Sequence, residues 1–369
     1  MSHKAAILTG LDAPLEIHDI EVEAPRADEI KVRMGASGVC HSDLSMQNGT
    51  IMSAAPIVLG HEGAGVVEEV GPGVTDLKPG DHVVVSWVPQ CGKCYFCSRG
   101  QGELCKAADP ALASGGLLDG TPRFSWNDAP LFQMAASGTF SELSIIPATG
   151  AVKIPDDVPM KIAALIGCGV LTGVGAALNT ADIRKGDTVA VIGCGGVGLN
   201  VIQGARIAGA DQIIAIDMVE TKLQMAKEFG ATAAVNAGQG DPVSQVMSMT
   251  EERGADVAFE VIGLGPTIDQ TINMTRRGGQ AILVGVPRMD VMVTVPAFLG
   301  LVLQEKTIKG CWYGSSNVQK DVPKLVDLYK KGELKLDELI SREIALDEVN
   351  DAFEAMKTGE VARSVIVYS

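Results

Sequence analysis

The segment TVAVIGCGGVGLNVIQGARIAGA, residues 188–210, constrains the fold more than any other stretch of the chain. An apolar run that reads as a buried strand passes straight into Gly193, Gly195 and Gly198, spaced GxGxxG, with Gly196 in the same turn, and then into a helical pattern. In that context the first glycine makes a tight turn, the second lets backbone approach a pyrophosphate, and the third lets helix and strand pack closely. The helix N-terminus offers free N–H groups and the positive end of a dipole to the phosphates. Nineteen residues beyond Gly198 the next predicted strand, IIAID, ends in Asp217, where an acid grips the adenosine ribose hydroxyls. A carboxylate there repels a 2′-phosphate, so the expected cofactor is NAD rather than NADP.

Around this motif, strands are predicted near 188–192, 212–216, 233–235, 256–261, 280–284 and 307–311, with helices between most of them, such as 221–229 and 266–276. Six strands alternating with helices give an α/β class and a doubly wound six-stranded parallel sheet. The residues up to about 88 read differently. Short strands cut by Gly and Pro turns (LEIHDIEV, EIKVRM, GVVEEV, KPGDHVVV) predict a β-rich, barrel-like or Greek-key front domain. Residues 106–137 show little periodicity and read as a long functional or self-packed loop with a DGTPRF turn. The last fifty or so residues are expected to return to the first domain. A chain of 369 residues is long enough for two domains.

Four of the eight cysteines, Cys91, Cys94, Cys97 and Cys105, fall in CGKCYFCSRGQGELC. Two cysteines three apart on a turn aim both sulfurs at one point, and tetrahedral zinc takes four such ligands. Paired disulfides are the alternative in a secreted protein, but the opening MSHKAAILTG has no charged-then-apolar export segment. The reading is a cytoplasmic metalloprotein with a closed, structural zinc lobe at about 88–106. A net charge of −15 without a basic run excludes nucleic acid and anionic membrane as expected partners. No membrane span is expected, because the longest apolar stretch, residues 291–303, is interrupted by Pro296 and Gly300.

Three more candidate ligands stand apart: Cys40 in SGVCHSDL, His61 in LGHEGAGVV and Cys168 in IGCGVLTG. Taken singly, each suits a buried core or turn position. Together they make a Cys, His, Cys set that leaves one tetrahedral position open, as a catalytic zinc requires.

At this point the chain resembles the zinc-dependent alcohol dehydrogenases of the medium-chain dehydrogenase/reductase superfamily. GVCHSD, GHEGAGVVEEVG, PGDHV, the cysteine cluster, DGTPRF, GCGVLTG, GCGGVGL and ARSVIVY all occur in the family's order. The resemblance implies a GroES-like β-rich catalytic domain over 1–169 and 313–369, and a Rossmann NAD-binding domain over 170–312. It also implies two zincs per subunit and reversible hydride transfer between an alcohol and NAD.

Individual roles carry over in the same way. Ser42 corresponds to the acceptor of the alcohol proton, Asp43 to the carboxylate that orients His61, and Glu62 to the acid behind the metal. His41 and Arg363 match positions that meet the cofactor phosphates; Thr172, Val197 and Val284 lie along the nicotinamide, and Lys222 near the adenosine. Ile51, Trp87, Met134, Val284 and Trp312 would wall the substrate pocket. Their apolar bulk favours a bulky or aromatic primary alcohol, or its aldehyde.

Two departures bear on chemistry. The relay histidine three residues after the serine is here Ser45, so proton release is expected through water. The arginine with which glutathione-dependent formaldehyde dehydrogenases bind a carboxylate is here Asp109, and an acid cannot replace a bidentate guanidinium. Two other readings share these motifs: an alcohol dehydrogenase whose NAD never exchanges and is turned over by an external acceptor, and a non-catalytic NAD-binding protein with structural zinc alone. A homodimer, or a tetramer, joined through the sheet edge at strand 280–284 and the VMVTVP segment, residues 291–296, is the expected assembly.

Overall fold

A computed structural model describes residues 3–358 and 362–369. The chain divides into two compact units, one of Met1–Gly169 with Asn317–Ser369 and one of Val170–Ser316. The second crossing falls at 316/317 rather than 312/313. The cause is local: Asn179 Nδ2 donates to Gly314 O (3.2 Å), and the hydroxyls of Thr180 and Ser315 meet at 2.8 Å, so residues 313–316 stay with the second unit.

In the first unit, His3–Leu8, Glu16–Val22, Phe124–Trp126, Ala129–Gln133 and Ile57–Val58 close a small barrel. A larger sheet runs in the order Ala151–Lys153, His82–Val85, Glu62–Val70, Glu29–Val39, Arg363–Val367, Ile340–Ile344, with Leu143–Pro147 also paired to Glu29–Val39. Fully buried Ile, Val and Leu side chains such as Ile7, Leu59, Ile30 and Val83 fill these sheets, each worth about 1.5–3 kcal/mol of burial. The C-terminal strand does return: Ser364–Val367 pairs antiparallel with Ala36–Val39, next to Cys40.

Residues 106–137 are more ordered than their sequence suggests. They hold a helix, Asp109–Ser114, and the hairpin Phe124–Trp126 with Ala129–Gln133. Asn127 and Asp128 both take positive φ (52° and 60°), the geometry of a two-residue type I′ turn. What closes this segment on itself is Arg123, 1% exposed. Its Nε donates to both Glu29 oxygens (3.1 and 3.0 Å) and its Nη2 to Asp119 (2.8 Å). An arginine in a polar run carries no signal that it will be buried.

The second unit is a six-stranded sheet in the order Ala233–Asn236, Gln212–Asp217, Thr188–Ile192, Ala255–Glu260, Thr275–Leu283, Thr307–Gly310, all parallel. Order reverses beside Thr188–Ile192, which makes the carboxyl ends there the expected ligand crevice. Two expectations change. Strand 280–284 is not at the edge, since Thr275–Leu283 is paired on both sides and Thr307–Gly310 is the edge strand. The helix predicted to 276 ends at Met274, because Thr275 is already paired with Ala255.

One helical stretch, Met160–Thr180, is long and apolar enough to cross a membrane by length and composition, but 83% of its most apolar window is buried inside the protein. It is a core helix whose small residues permit close approach: a Cβ on Gly167 would sit 2.8 Å from Val85 O.

Removing one partner of a buried ion pair strands the other, which costs about 3–5 kcal/mol. Arg123→Met should therefore lower the urea-unfolding free energy of the first unit by an amount in that range, read as a lower midpoint with an unchanged m-value. Burial would raise the Asp119 carboxyl, yet bonds from Arg123 and Thr121 hold it down at about 2. Its stabilising part is thus complete above the ordinary carboxylate range and fades as pH falls towards 2. Asp119→Asn should flatten that acid limb of the stability curve.

Candidate active site and metal centres

Cys40, His61, Glu62 and Cys168 come from three separate segments of the first unit, and one ligand atom from each lies within 4.8 Å of the others. All four are buried. Cys40 closes the strand Glu29–Val39 and caps the helix His41–Gln47. His61 and Glu62 open the strand Glu62–Val70, and Cys168 sits in the helical turn Ile166–Val170.

Asp43, fully buried, ties two of these segments together. Its Oδ2 accepts the Cys40 N–H (2.9 Å), while its Oδ1 accepts the Gly60 N–H (3.1 Å) and faces His61 Nδ1 at 3.0 Å. A carboxylate can only accept, so Nδ1 carries the proton and Nε2 is left as the ligand atom. Two bonds onto backbone carbonyls complete the clamp, with Thr139 N donating to Gly60 O (2.9 Å) and the Ser37 hydroxyl to Glu62 O (3.1 Å).

Charge within this cluster is strongly perturbed. A hydrogen bond from the Cys168 thiol holds Cys40 well below the ordinary thiol range against its burial, with Arg363 and His61 adding positive charge. Cys168 is correspondingly raised. Burial alone would lower His61, but Asp43 and Cys40 raise it well above the usual imidazole value. Burial pushes Glu62 up to about 8 despite the guanidinium of Arg363, whose Nη1 lies 3.3 Å from Glu62 Oε1. Arg363 is itself 6% exposed and also reaches Val39 O, at 3.4 Å. It is not a solvated surface charge.

The donor set fits zinc. Two thiols, an imidazole nitrogen and a buried carboxylate converge, and Glu62 Oε2 has no hydrogen-bond partner among the described residues. Three strong ligands with room for a fourth group are what an open zinc site presents. The second set, Cys91, Cys94, Cys97 and Cys105, also places all four sulfurs within 4.8 Å of one another. Tetrahedral Zn–S bonds would put them ~3.8 Å apart. Backbone N–H groups of Cys97 and Lys106 hold Cys94 down at about 6, and the Cys91 N–H donates to Cys105 Sγ (3.3 Å). Four sulfurs saturate the metal and leave no position for substrate.

In the second unit each glycine of the motif has its own local reason. Gly193 takes φ 99°, a Cβ on Gly195 would meet open space, and one on Gly198 would fall 1.8 Å from Gly193 O. Gly196 begins the helix Gly196–Ala208, with Val197 in its first turn. Asp217 ends its strand half-buried, its Oδ2 accepting the Cys194 N–H (2.9 Å) and its Oδ1 the Val219 N–H (3.0 Å). Thr172 and Lys222 are half-buried, and Val284 is buried just past its strand, its N–H on Glu260 O (2.8 Å).

The remaining expected positions divide between the units. His41 and Ser42 start the helix at Cys40, with His41 exposed and Ser42 Oγ 3.9 Å from Cys40 Sγ. Ile51 and Trp87 are half-buried and Met134 is buried, all in the first unit; Trp87 stands edge-on to His61, ring centres 6.3 Å apart. Trp312, 44% exposed, belongs with Val284 to the second. Two glycines missed by sequence reasoning seat the centre. A Cβ on Gly38 would meet Glu62 Oε2 at 2.2 Å, and one on Gly169 would meet Arg363 Nη2 at 2.2 Å. Their only signal is adjacency to Cys40 and Cys168 in GVC and GCG.

A Cβ on Gly38 would press on Glu62 Cβ (3.1 Å) as well as its carboxylate, so the whole side chain has to shift. Gly38→Ala should cost about 1–3 kcal/mol in thermal unfolding and weaken zinc retention at the Cys40 site in chelator competition, leaving the Cys91–Cys105 zinc in place.

Comparison with known proteins gives the same picture from another direction. Residues 26–156 match the family described as alcohol dehydrogenase GroES-like domain, and residues 196–331 the family zinc-binding dehydrogenase. The chain is 40% identical over 373 residues to an NDMA-dependent alcohol dehydrogenase of Amycolatopsis methanolica, covering all of both chains. It is 37% identical over 377 residues to an S-(hydroxymethyl)glutathione dehydrogenase of Paracoccus denitrificans, again over both full lengths. Among solved structures, benzyl alcohol dehydrogenase from Acinetobacter calcoaceticus matches with a TM-score of 0.94, 32% identity and full coverage of both chains.

Proposed function

The chain belongs to the zinc-dependent alcohol dehydrogenases of the medium-chain dehydrogenase/reductase superfamily, and on that premise we propose that it oxidises a primary alcohol, bulky or aromatic, reversibly with NAD and two zincs per subunit. The observation that carries this reading is the convergence of Cys40, His61, Glu62 and Cys168 beside a separate, complete set of four cysteines. A protein using zinc only as a scaffold needs the second set alone.

When bound, the Cys40–His61–Cys168 zinc supplies Lewis acidity at the alcohol oxygen, and NAD accepts hydride. The protein's own residues do the rest. Asp43 holds His61 in one tautomer and one orientation. Arg363 offsets the charge of Cys40 and Glu62 within the buried cluster. Ser42 is suited to receive the alcohol proton, standing beside Cys40 on the half-buried start of its helix. Ser45 is 7% exposed and its hydroxyl has too high a pKa to carry the proton as an imidazole would. Water therefore takes the proton onward, and full rate should need a pH above neutrality.

Trp87 and Met134 pack in one apolar cluster of the first unit, and with half-buried Ile51, which the family pattern adds, they favour a benzylic or branched substrate. The similarity to benzyl alcohol dehydrogenase supports the same class. Asp109 is the exposed first residue of its helix, with Lys106 as its ion-pair partner at 3.4 Å among the described residues, so no glutathione requirement is proposed. Asp217 favours NAD over NADP by charge repulsion.

A second reading is favoured by one relative's name. If this chain, like an NDMA-dependent enzyme, keeps its NAD bound through turnover, an external acceptor would recycle it. The purified, washed protein distinguishes the two: NAD released only on denaturation supports retention, and activity strictly dependent on added NAD supports exchange.

Metal analysis should find two zincs per subunit. Cys40→Ala should lose one of them and reduce benzyl alcohol oxidation by at least 10²-fold, whereas one zinc in the wild type, or unchanged activity in the variant, would overturn the catalytic assignment. Efficient use of NADP would remove the role given to Asp217. A homodimer is proposed through the Thr307–Gly310 edge, where Phe298, Leu299, Val302 and Leu303 are all exposed. Sedimentation as a dimer that becomes monomeric in Leu303→Glu is the expected result. A cytoplasmic location is proposed from the reduced cysteine chemistry.

A further inference from the structure

Glu260 ends the strand Ala255–Glu260 at the carboxyl end of the parallel sheet and is fully buried. Its Oε2 has no hydrogen-bond partner among the described residues. A buried carboxylate with one oxygen unpaired costs free energy that an apolar side chain would not. Neither the metal centres nor the glycine motif uses it.

What Glu260 holds is backbone on two sides. Its Oε1 accepts the N–H groups of Ile262 (2.9 Å) and Gly263 (2.8 Å) and the hydroxyl of Thr267 (2.7 Å). Thr267 stands in the first turn of the helix Gly265–Met274, whose cap residue Leu264 offers no side-chain bond, so the carboxylate also complements the positive end of that helix. The main-chain oxygen of Glu260 accepts from the next strand's exit, Val284 N (2.8 Å) and Gly285 N (3.0 Å). One residue thus clasps the turn 261–264 to residues 284–286. The fit is close: a Cβ on Gly263 would lie 2.5 Å from Val286 O, and one on Gly285 would lie 2.2 Å from Gly263 N and 2.5 Å from Glu260 Oε2.

The clasped turn reaches the dinucleotide motif. Ile192, Glu260 and Leu283 lie in register on three adjacent strands. Val261 N donates to Ile192 O (2.9 Å), and Ile262 Cγ1 stands 2.7 Å from where a Cβ on Gly193 would be. Slack in the turn would therefore move the wall beside Gly193.

We propose that Glu260 is a positioning residue for the dinucleotide: by fixing the turn 261–264 against residues 284–286 it holds the crevice wall at Gly193 in its binding shape before cofactor arrives. It acts through backbone, and a carboxylate suits the task because one oxygen takes three donors. The inference rests on the reading of this crevice as the NAD site.

The test is fluorescence titration of the intact, zinc-loaded protein with NADH, alongside thermal unfolding, zinc content and the KM for benzyl alcohol. If the chain keeps its cofactor through purification, the exchange rate of labelled NAD gives the same comparison. Glu260→Leu, which removes the side-chain acceptors at similar volume, should raise the NADH Kd about tenfold or more, the scale of one lost charge-assisted hydrogen bond. Glu260→Gln keeps one acceptor oxygen and should stay within about threefold of wild type. Thr267→Val removes one of the three donors and should fall between the two, which keeps the test decisive where Glu260→Leu does not fold. The control is Asp256→Asn, at the amino end of the same strand, where Asp256 accepts the Thr188 N–H (2.8 Å) and pairs with Arg276: it should lower Tm and leave NADH affinity unchanged. Zinc content and the KM for benzyl alcohol should match wild type throughout. Equal NADH losses in Glu260→Leu and Asp256→Asn, or wild-type affinity in Thr267→Val and in folded Glu260→Leu, would overturn the proposal. A wild type that binds no NADH would instead remove the cofactor reading, and this inference with it.

Discussion

The candidate active centre depends on a single buried carboxylate. Asp43 accepts from the backbone of Cys40 and Gly60 and from the ring of His61, so the strand that delivers one ligand and the turn that delivers another are held to one point. Without it the two strands would still pair, from Gly38 and Glu62 onward, but Cys40 and His61 would lose their shared acceptor and the imidazole its fixed tautomer. Every further feature of the cluster presumes that alignment: the thiol pair Cys40 and Cys168, the Glu62–Arg363 contact, and the two glycines that leave room for them.

A buried cluster of this kind is costly unless charges offset one another. Here the C-terminal strand solves part of the problem. By pairing with Ala36–Val39 it brings Arg363 alongside Glu62 and behind Cys40. The last residues of the chain are thus part of the electrostatics of a site whose ligands lie within the first 168 residues. The four-cysteine lobe obeys the opposite logic: it is saturated by its own sulfurs and backbone N–H groups, and its effect on the site is through the fold.

Much of this was legible in the sequence, for identifiable reasons. The strands of the parallel sheet were readable because strands buried on both faces are continuous apolar runs. The glycine motif was readable because each glycine answers a different steric demand, now seen as a positive φ at Gly193, open space at Gly195 and backbone contact at Gly198. Residues 106–137 were not. Their order comes from Arg123, a charged residue that is buried only because Glu29 and Asp119, distant or unremarkable in sequence, are there to receive it. The DGTPRF turn, residues 119–124, was the local feature read there.

Sequence by itself determined the chemistry available: which side chains can bind metal and which glycines can turn. These are properties of residue type and short spacing. Tertiary structure decided what those groups become. It made Arg363, expected at the cofactor phosphates, the buried partner of Glu62, moved the sheet edge from 280–284 to Thr307–Gly310, and looped Arg276 and Arg277 out of their strand. The physical reason is common to all three. Burial, strand pairing and charge compensation are set by contacts between segments tens to hundreds of residues apart, and no local pattern records them.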